Sequence, residues 1–165
     1  MAHHIGFAGY SNSGKTTLIA KVVTEMKRRG YRVGVMKHDA HGHYKEKEGT
    51  DSTTFIRTGA DAVVTISPEA VHVYEKKASP ELSGQLEAFA HLDYIIIEGF
   101  KKEKHPKIAV IRTLEQTVIL DELDPAPIAV VSNLHVGREG MPSFHLDDAS
   151  AVASFIVRFF EARQY

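Results

Sequence analysis

The chain of 165 residues is 43% hydrophobic and 25% charged, contains no cysteine and has a formal net charge of −1. This composition is typical of a soluble globular protein, and we interpret residues 1–165 as a single domain. The lack of cysteine excludes disulfides, zinc–thiolate sites and cysteine nucleophiles. The charge argues against a general nucleic-acid or membrane surface, and we see neither an apolar run of membrane-spanning length nor a signal peptide. We therefore expect a cytoplasmic protein without nucleic-acid or membrane partners.

The first residues have the pattern of a β–α–β unit. A strand is predicted over residues 3–8, a helix over about 14–29 and a second strand over 32–37. The helix is indicated by apolar residues at a spacing of four, and the strands by short apolar runs. Two strands joined through a helix are expected to be parallel, with a right-handed crossover.

The middle of the chain begins with a polar stretch. Residues 38–49 have no periodicity and predict a mobile loop that responds to a ligand as a switch segment does. A short helix over 53–58 is predicted to open at Asp51. Residues 62–66 and 71–74 then predict an antiparallel hairpin, and a proline-capped helix follows it.

Residues 93–99 form the most apolar predicted strand, and their lack of alternation predicts a sheet that is covered on both faces. Residues 117–120 are ambiguous between a strand and irregular structure. The other predicted elements are strands over 107–112, 128–131 and 144–146 and a final helix after Asp147-Asp148.

One local motif organises this pattern: residues 9–16 match G-x-x-x-x-G-K-[ST] at every fixed position. Gly9 and Gly14 permit a tight turn, and the loop amides with the following helix N-terminus attract phosphate. Lys15 can reach the β- and γ-phosphates, and the Thr16 hydroxyl is suited to bind Mg²⁺. The predicted phosphate-binding residues are Gly9, Tyr10, Ser11, Asn12, Ser13, Gly14, Lys15 and Thr16. The alternative is a glycine-rich turn without a ligand. The predicted fold class is therefore α/β: a three-layer P-loop NTPase fold with a mostly parallel central sheet and an added antiparallel hairpin.

Carboxylates at predicted strand ends are the candidate catalytic and metal-binding groups. Glu98 ends the apolar strand, where P-loop proteins have a carboxylate beside Mg²⁺, and Gly99 can bring an amide near a γ-phosphate. Asp39 follows the second strand and can orient Mg²⁺ or a water, and Asp51 lies at a helix start just beyond. The alternatives are a solvent-facing Glu, loop polarity and an ordinary helix cap.

Two further clusters have two interpretations each. His38, His41 and His43 have a spacing that can bind Zn²⁺ or Ni²⁺, or they are neutral loop histidines. The basic residues between 101 and 107 can meet an anionic ligand or an acidic partner, or they form a solvated loop.

Several motifs in order resemble the molybdopterin-guanine dinucleotide biosynthesis adapter protein B family: GYSNSGKTT, VMKHD, EGTDS ahead of RTGA, and IIIEGFKKEKHPKI. This resemblance spans most of residues 1–112. It implies a homodimeric protein that binds GTP and Mg²⁺, hydrolyses GTP weakly, and assists the molybdopterin guanylyltransferase that joins GMP to molybdopterin. It also implies that Thr17 belongs to the phosphate-binding loop. The residues it places on the γ-phosphate side are Lys37, His38, Asp51, Glu98 and Gly99.

The chain also departs from the family pattern. Thr50 replaces the common Lys, Thr58 replaces a small or apolar residue, and N-K-x-D is absent. Asn133 follows a buried strand at about the place expected for base recognition, but Leu134 and Val136 do not complete the pattern. The preference for guanine is therefore inferred from the family alone. No arginine is clearly placed as a finger, with Arg57 and Arg112 as the candidates.

Two other functions remain open. The histidine cluster is compatible with a metal-inserting GTPase of the urease or hydrogenase maturation type. A small-molecule kinase is the other alternative, although a kinase usually has an arginine-bearing lid. For the homodimer, we expect an interface near the hairpin at 62–74 or the strand at 107–112, because 71–74 has the alternation of an edge strand.

Overall fold

The structure, a computed structural model, describes residues 1–163. The chain divides into two compact units. The first comprises Met1–His38 and the described chain from Gln85 onward, and the second is Asp39–Gly84. That residues 1–165 act as a single domain stays a prediction.

The elements follow the predicted order closely. The strands are β1 (His3–Ala8), β2 (Val33–Lys37), β3 (Ala62–Ile66), β4 (Val71–Glu75), β5 (Tyr94–Glu98), β6 (Lys107–Ile111), β7 (Ala129–Ser132) and β8 (Ser143–Phe144). The α-helices are α1 (Lys15–Arg28), α2 (Asp51–Arg57), α3 (Leu82–Ala88), α4 (Ile119–Glu122) and α5 (Ala149–Glu161). In the described part of the chain, no helix has the length and apolar character needed to cross a membrane.

The first unit is built on a parallel sheet in the order β2-β5-β1-β6-β7-β8. On one face, α1 and α5 cover the sheet, and Phe7 of β1 packs with Val22 and Ile156 in the main core cluster. On the other face, Ala109 and Ile111 of β6 pack with Ile119 and Leu120 of α4. Helices therefore lie on both faces, and the predicted α/β P-loop fold with a separate antiparallel hairpin is confirmed.

The ambiguous segment at residues 117–120 is helical, so both the strand and the irregular alternative are wrong. A 3₁₀-helix over Leu114–Val118 runs into α4. Gln116 fixes its start, because Gln116 Oε1 accepts hydrogen bonds from the amides of Arg112 (2.8 Å) and Thr113 (3.4 Å). This side chain meets amides that a helix start leaves without backbone partners, which short-range apolar periodicity does not reveal.

The expected dimer contact at residues 107–112 is not compatible with the position of β6 in the sheet. β6 lies between β1 and β7, and each of its residues is buried. The strand therefore has no open edge for another subunit.

The connection between β5 and β6, which we call the crossover loop (residues 99–106), must return past β1. Both strands pair in parallel with β1, one on each side, so the chain returns from the carboxyl end of β5 to the start of β6. The loop packs on Gly6 of β1, where an added Cβ would lie 2.5 Å from His105 Nε2. Lys107 is fully buried, and its Nζ donates to the carbonyls of Glu103 and His105.

The second unit contains α2 and the β3–β4 hairpin. Thr50 is the N-cap of α2, and its hydroxyl accepts from the Thr53 amide at 3.3 Å, so Asp51 is the first helical residue. In the hairpin, Val64 is paired with Val73 and Ile66 with Val71. One face of this two-stranded ribbon is therefore apolar.

We expect Gly6→Ala to destabilise the protein. The new Cβ would lie 2.5 Å from His105 Nε2 and 2.7 Å from its Cδ2, and overpacking in a buried strand costs about 1–3 kcal/mol. The measurement is the free energy of unfolding in denaturant.

Gly84→Ala is the matched control, because Gly84 lies in α3 and no atom is within 4 Å of its added Cβ. It should be neutral or stabilising by up to about 1 kcal/mol. An unchanged stability in Gly6→Ala would contradict the close packing of the crossover loop on β1.

His105 should make the stability depend on pH. Burial, with a smaller effect of the nearby Lys107 charge, lowers the pKa of His105 from 6.5 to about 4. Between these values the unfolded chain binds a proton that the folded protein does not, so stability is full above pH 6.5 and falls on acidification towards pH 4. The loss should be about 2 kcal/mol, less than the full shift would give because the ring is partly exposed.

The measurement compares unfolding free energies from pH 7 to pH 4 for the wild type and His105→Leu. The variant should lose less stability over this range. His135→Leu, at an exposed loop histidine, is the control and should retain the wild-type slope. Parallel curves for all three proteins would mean that His105 does not titrate in this way.

Candidate functional site

The loop between β1 and α1 turns sharply through left-handed backbone conformations. Asn12 has φ 63° and Gly14 has φ 87°. The Ser13 amide donates to the Tyr10 carbonyl at 3.2 Å, which closes the turn. A Cβ on Gly9 would lie 2.6 Å from Ser13 Oγ and 2.7 Å from the Val110 carbonyl oxygen, so the first position requires glycine.

The N-terminus of α1 is unusually open to an anion. Its N-cap is Gly14, which has no side chain to accept from the first-turn amides, and the first turn contains no acidic residue. The N-terminal amides of a helix lack intrahelical partners and bear partial positive charge. Together with the loop amides, they form the type of arrangement that binds phosphate.

Three predicted residues meet at this helix start. Thr16 Oγ1 donates to Glu98 Oε1 at 3.0 Å, and Lys15 Nζ lies 3.7 Å from the same oxygen. Glu98 is only 9% exposed and ends β5 beside Phe7 of β1. The hydroxyl and the ammonium group thus both contact one carboxylate oxygen. A carboxylate and a hydroxyl are suitable ligands for Mg²⁺, and an ammonium group is a suitable partner for phosphate.

The end of β2 lies beside this group. Lys37 is in register with Glu98, and the His38 amide donates to the Glu98 carbonyl at 2.9 Å. The His38 ring stacks on Phe100 at 4.4 Å between centroids. The Gly99 amide donates to the Phe7 carbonyl at 3.2 Å, so it is engaged within the sheet edge.

Tyr10 of the phosphate-binding loop contacts both the crossover loop and α4. The Tyr10 hydroxyl donates to Glu122 Oε2 at 2.5 Å, and this hydrogen bond raises the pKa of Tyr10. Lys101 Nζ lies 4.2 Å from the centre of the Tyr10 ring, a cation–π distance. One of the predicted basic residues is therefore held next to the loop.

Asn133 lies at the carboxyl end of β7, as predicted, but its side chain has a structural contact. Asn133 Oδ1 accepts from the Leu146 amide at 3.1 Å. This bond connects the end of β7 to the segment before α5. A role in contacting a base stays a prediction.

Asp39 and Asp51 belong to the second unit. The Asp39 carboxylate accepts from the Tyr44 amide at 2.6 Å, and this bond, with a weaker one from the His43 amide, lowers the pKa of Asp39. Asp51 begins α2. Their predicted roles at a nucleotide stay predictions.

The histidines at 41 and 43 lie close together, with ring centroids 5.4 Å apart. Across residues 1–163, no three His, Cys, Asp or Glu side chains are grouped so that they could hold a metal ion.

Two further residues at the site were not predicted to hold the loop. Gln116 Nε2 donates to the Ser11 carbonyl at 3.4 Å, which links the 3₁₀-helix to the phosphate-binding loop. Leu146 packs over Gly14, 3.7 Å from the position of an added Cβ. The T-x-x-Q spacing at Thr113 and Gln116 is a capping-box signal that could have indicated Gln116. No local signal in the sequence indicates the contact of Leu146.

The parallel sheet, the tight glycine loop after its central strand and the carboxylate at the end of the neighbouring strand define the class of the chain. It is an α/β protein of the P-loop class.

Comparison with known proteins narrows this class to a family. The family model for molybdopterin guanine dinucleotide synthesis protein B (MobB) matches residues 4–133. A molybdopterin-guanine dinucleotide biosynthesis adapter protein of Haemophilus influenzae is 36% identical over 132 residues, covering 78% of this chain and 74% of the relative. A probable adapter protein of the same kind from Bacillus subtilis is 31% identical over 149 residues, covering 87% and 86%. The crystal structure of a MobB homologue from Bacillus stearothermophilus has a TM-score of 0.73 at 26% identity, covering 98% of this chain and 99% of that chain.

The chain therefore belongs to the MobB family, and the resemblance drawn from its motifs is confirmed.

Proposed function

We propose that this chain is an adapter in molybdopterin guanine dinucleotide biosynthesis that binds GTP with Mg²⁺ and assists the guanylyltransferase. The observation that supports nucleotide binding is the meeting of Lys15, Thr16 and Glu98 at the open N-terminus of α1. The adapter role is supported by relatives that bear this name and are matched over most of their length.

In this proposal, residues 9–17 surround the phosphates, with Lys15 at the β- and γ-phosphates. Thr16 and Glu98 would hold Mg²⁺, directly or through its water shell, and the ion would supply positive charge that offsets the charge of the phosphates. Lys37, His38 and Gly99 lie at the same edge of the sheet, next to Glu98.

Hydrolysis in this proposal is slow at most. Glu98 is bound to Thr16 and close to Lys15, so it is suited to ligate a cation rather than to act as a general base. Arg57, one of the two candidate fingers, is paired with Glu48 within the second unit. A tightly bound nucleotide that turns over slowly suits an adapter, since its bound state would persist while a partner enzyme acts.

We expect Lys15→Ala to abolish measurable GTP binding in a protein that still folds, because the ammonium group is only a charge partner for phosphate.

Glu98→Gln should weaken GTP binding in the presence of Mg²⁺ far more than in its absence, because the substitution keeps the size of the side chain and removes its charge. Titration of a fluorescent GTP analogue with Mg²⁺ or with EDTA measures both effects, and thermal melting verifies the fold.

Lys21→Ala is the control, because Lys21 lies on α1 but is paired with Asp147. It should bind like the wild type. Unchanged affinity in folded Lys15→Ala would remove the nucleotide-binding assignment, and equal losses for Glu98→Gln with and without Mg²⁺ would make Glu98 a structural residue.

We also propose that the chain forms a homodimer through the apolar face of the hairpin. Val64 is 55% exposed, Ile66 77%, Val71 61% and Val73 65%, and the pairing of β3 with β4 places all four on one face. A two-stranded hairpin alone is only marginally stable in water, so its apolar face is expected to pack against another protein surface. A second copy of the chain provides such a surface, because a two-fold axis brings the same apolar face of both subunits together.

Val73→Lys should dissociate the dimer, because it places a charge in the centre of the apolar face. His72→Lys is the matched control, since the neighbouring side chain points to the opposite face of the same strand. Multi-angle light scattering at micromolar concentration measures the mass of each. A monomeric wild type would contradict the dimer, and a dimer that persists in Val73→Lys would place the interface elsewhere.

A further inference from the structure

Arg112 follows β6 directly and lies against the phosphate-binding loop. A Cβ placed on Gly14 would be 3.0 Å from Arg112 Nη2 and 3.6 Å from its Cζ, so the guanidinium packs over the Cα of Gly14. Gly14 is the N-cap of α1. The guanidinium group is therefore at the N-terminus of this helix.

This position is unfavourable for a cation in the free protein. The helix N-terminus bears partial positive charge, and Lys15, whose Nζ lies 3.7 Å from Glu98 Oε1, is the first residue of the helix. Within residues 1–163, the Arg112 guanidinium has neither an ion pair nor a hydrogen bond, whereas Arg29 and Arg32 have carboxylate partners. A bound anion would turn this repulsion into attraction.

The backbone of Arg112 is tied to the same loop. The Arg112 amide donates to Gln116 Oε1 at 2.8 Å, and Gln116 Nε2 donates to the Ser11 carbonyl at 3.4 Å. The side chain of Gln116 thereby joins the end of β6 to the phosphate-binding loop. A fixed backbone lowers the entropy that the arginine would lose on binding a ligand.

The strand order indicates which part of a nucleotide is within reach. Glu98 ends β5, on one side of β1, and its contacts with Thr16 and Lys15 mark the end where the cation and the terminal phosphate would bind. Arg112 follows β6, on the opposite side of β1 and next to β7. A nucleotide lying along the loop would have its α-phosphate and ribose on the side of Arg112.

We propose that Arg112 binds the α-phosphate of the nucleotide at the sugar side of the loop. The inference rests on the proposed nucleotide-binding function. A guanidinium is always charged and presents paired donors, so it can bind two phosphate oxygens at once. Because the α-phosphate is present in GDP and GTP alike, this contact contributes equally to both. An arginine finger would instead act on the transferring γ-phosphate and change the rate of hydrolysis.

The test measures the affinities of Mg²⁺-GDP and of Mg²⁺ with a non-hydrolysable GTP analogue by isothermal titration calorimetry. Arg112→Ala should weaken both about tenfold or more, as expected for the loss of a charged hydrogen bond, and leave their ratio and their Mg²⁺ dependence unchanged. Arg112→Lys should recover only part of the loss, because an ammonium group lacks the paired donors. Arg112→Gln keeps a polar side chain without the charge and should lose affinity as Arg112→Ala does. Melting curves of all variants establish that the fold is intact.

Arg158→Ala is the matched control. Arg158 is an exposed arginine in the last turn of α5, and its removal changes the net charge equally, so both affinities should stay within about twofold of the wild type. Unchanged affinities in Arg112→Ala would overturn the inference, as would a loss confined to the GTP analogue or to the hydrolysis rate. If Lys15→Ala abolishes binding and Arg112→Ala does not, only the inference fails. If the wild type binds neither nucleotide, the proposed function fails and the inference falls with it.

Discussion

The position of β1 between β5 and β6 is the constraint on which the site depends. Because the three strands are parallel, their carboxyl ends point to one edge of the sheet: Phe7 is in register with Glu98 at the end of β5, and Ala8 with Ala109, after which β6 continues to Ile111. The phosphate-binding loop follows β1, Glu98 is the last residue of β5, and Arg112 follows β6. The same constraint sends the crossover loop back past β1, where Gly6 leaves the space that His105 occupies. The edge with the candidate site and the packing of the crossover loop on β1 thus follow from a single strand order.

The parts of this architecture that could be predicted from the sequence are those with a local signal. The glycine loop, its flanking strand and helix, and the carboxylate at Glu98 each lie within a short window that contains the whole pattern. The 3₁₀-helix before α4 was missed because the prediction relied on apolar periodicity. The start of this helix depends instead on a hydrogen bond to the Gln116 side chain. The requirement for glycine at position 6 could not be predicted, because it comes from the His105 ring, which packs on Gly6 from about a hundred residues further along the chain.

The site shows the same division between local and long-range information. That Lys15 and Thr16 would meet a carboxylate was predictable, because P-loop strands end at a common edge. The contact of Arg112 with Gly14 depends on how β6 ends, which no local pattern indicates, and on the Gln116 bridge, for which the T-x-x-Q spacing shows the helix start but not the link to the loop. Thr50 illustrates the opposite case. The residue that departs from the family pattern is the N-cap of α2, so a short polar side chain at that position has a structural role of its own.

The electrostatics of the loop connect stability with binding. In the free protein, Lys15 and Arg112 both lie at the N-terminus of α1, which has no side-chain cap. The Glu98 carboxylate lies close to the Lys15 ammonium group. A bound anion would be attracted to this arrangement, because it reduces the repulsion between like charges and accepts from helix amides that lack intrahelical partners. A ligand that binds only the folded state stabilises it, by about 2.7 kcal/mol at a hundredfold excess over Kd. If the chain binds a nucleotide as proposed, these positive charges would therefore stabilise the bound form relative to the empty one.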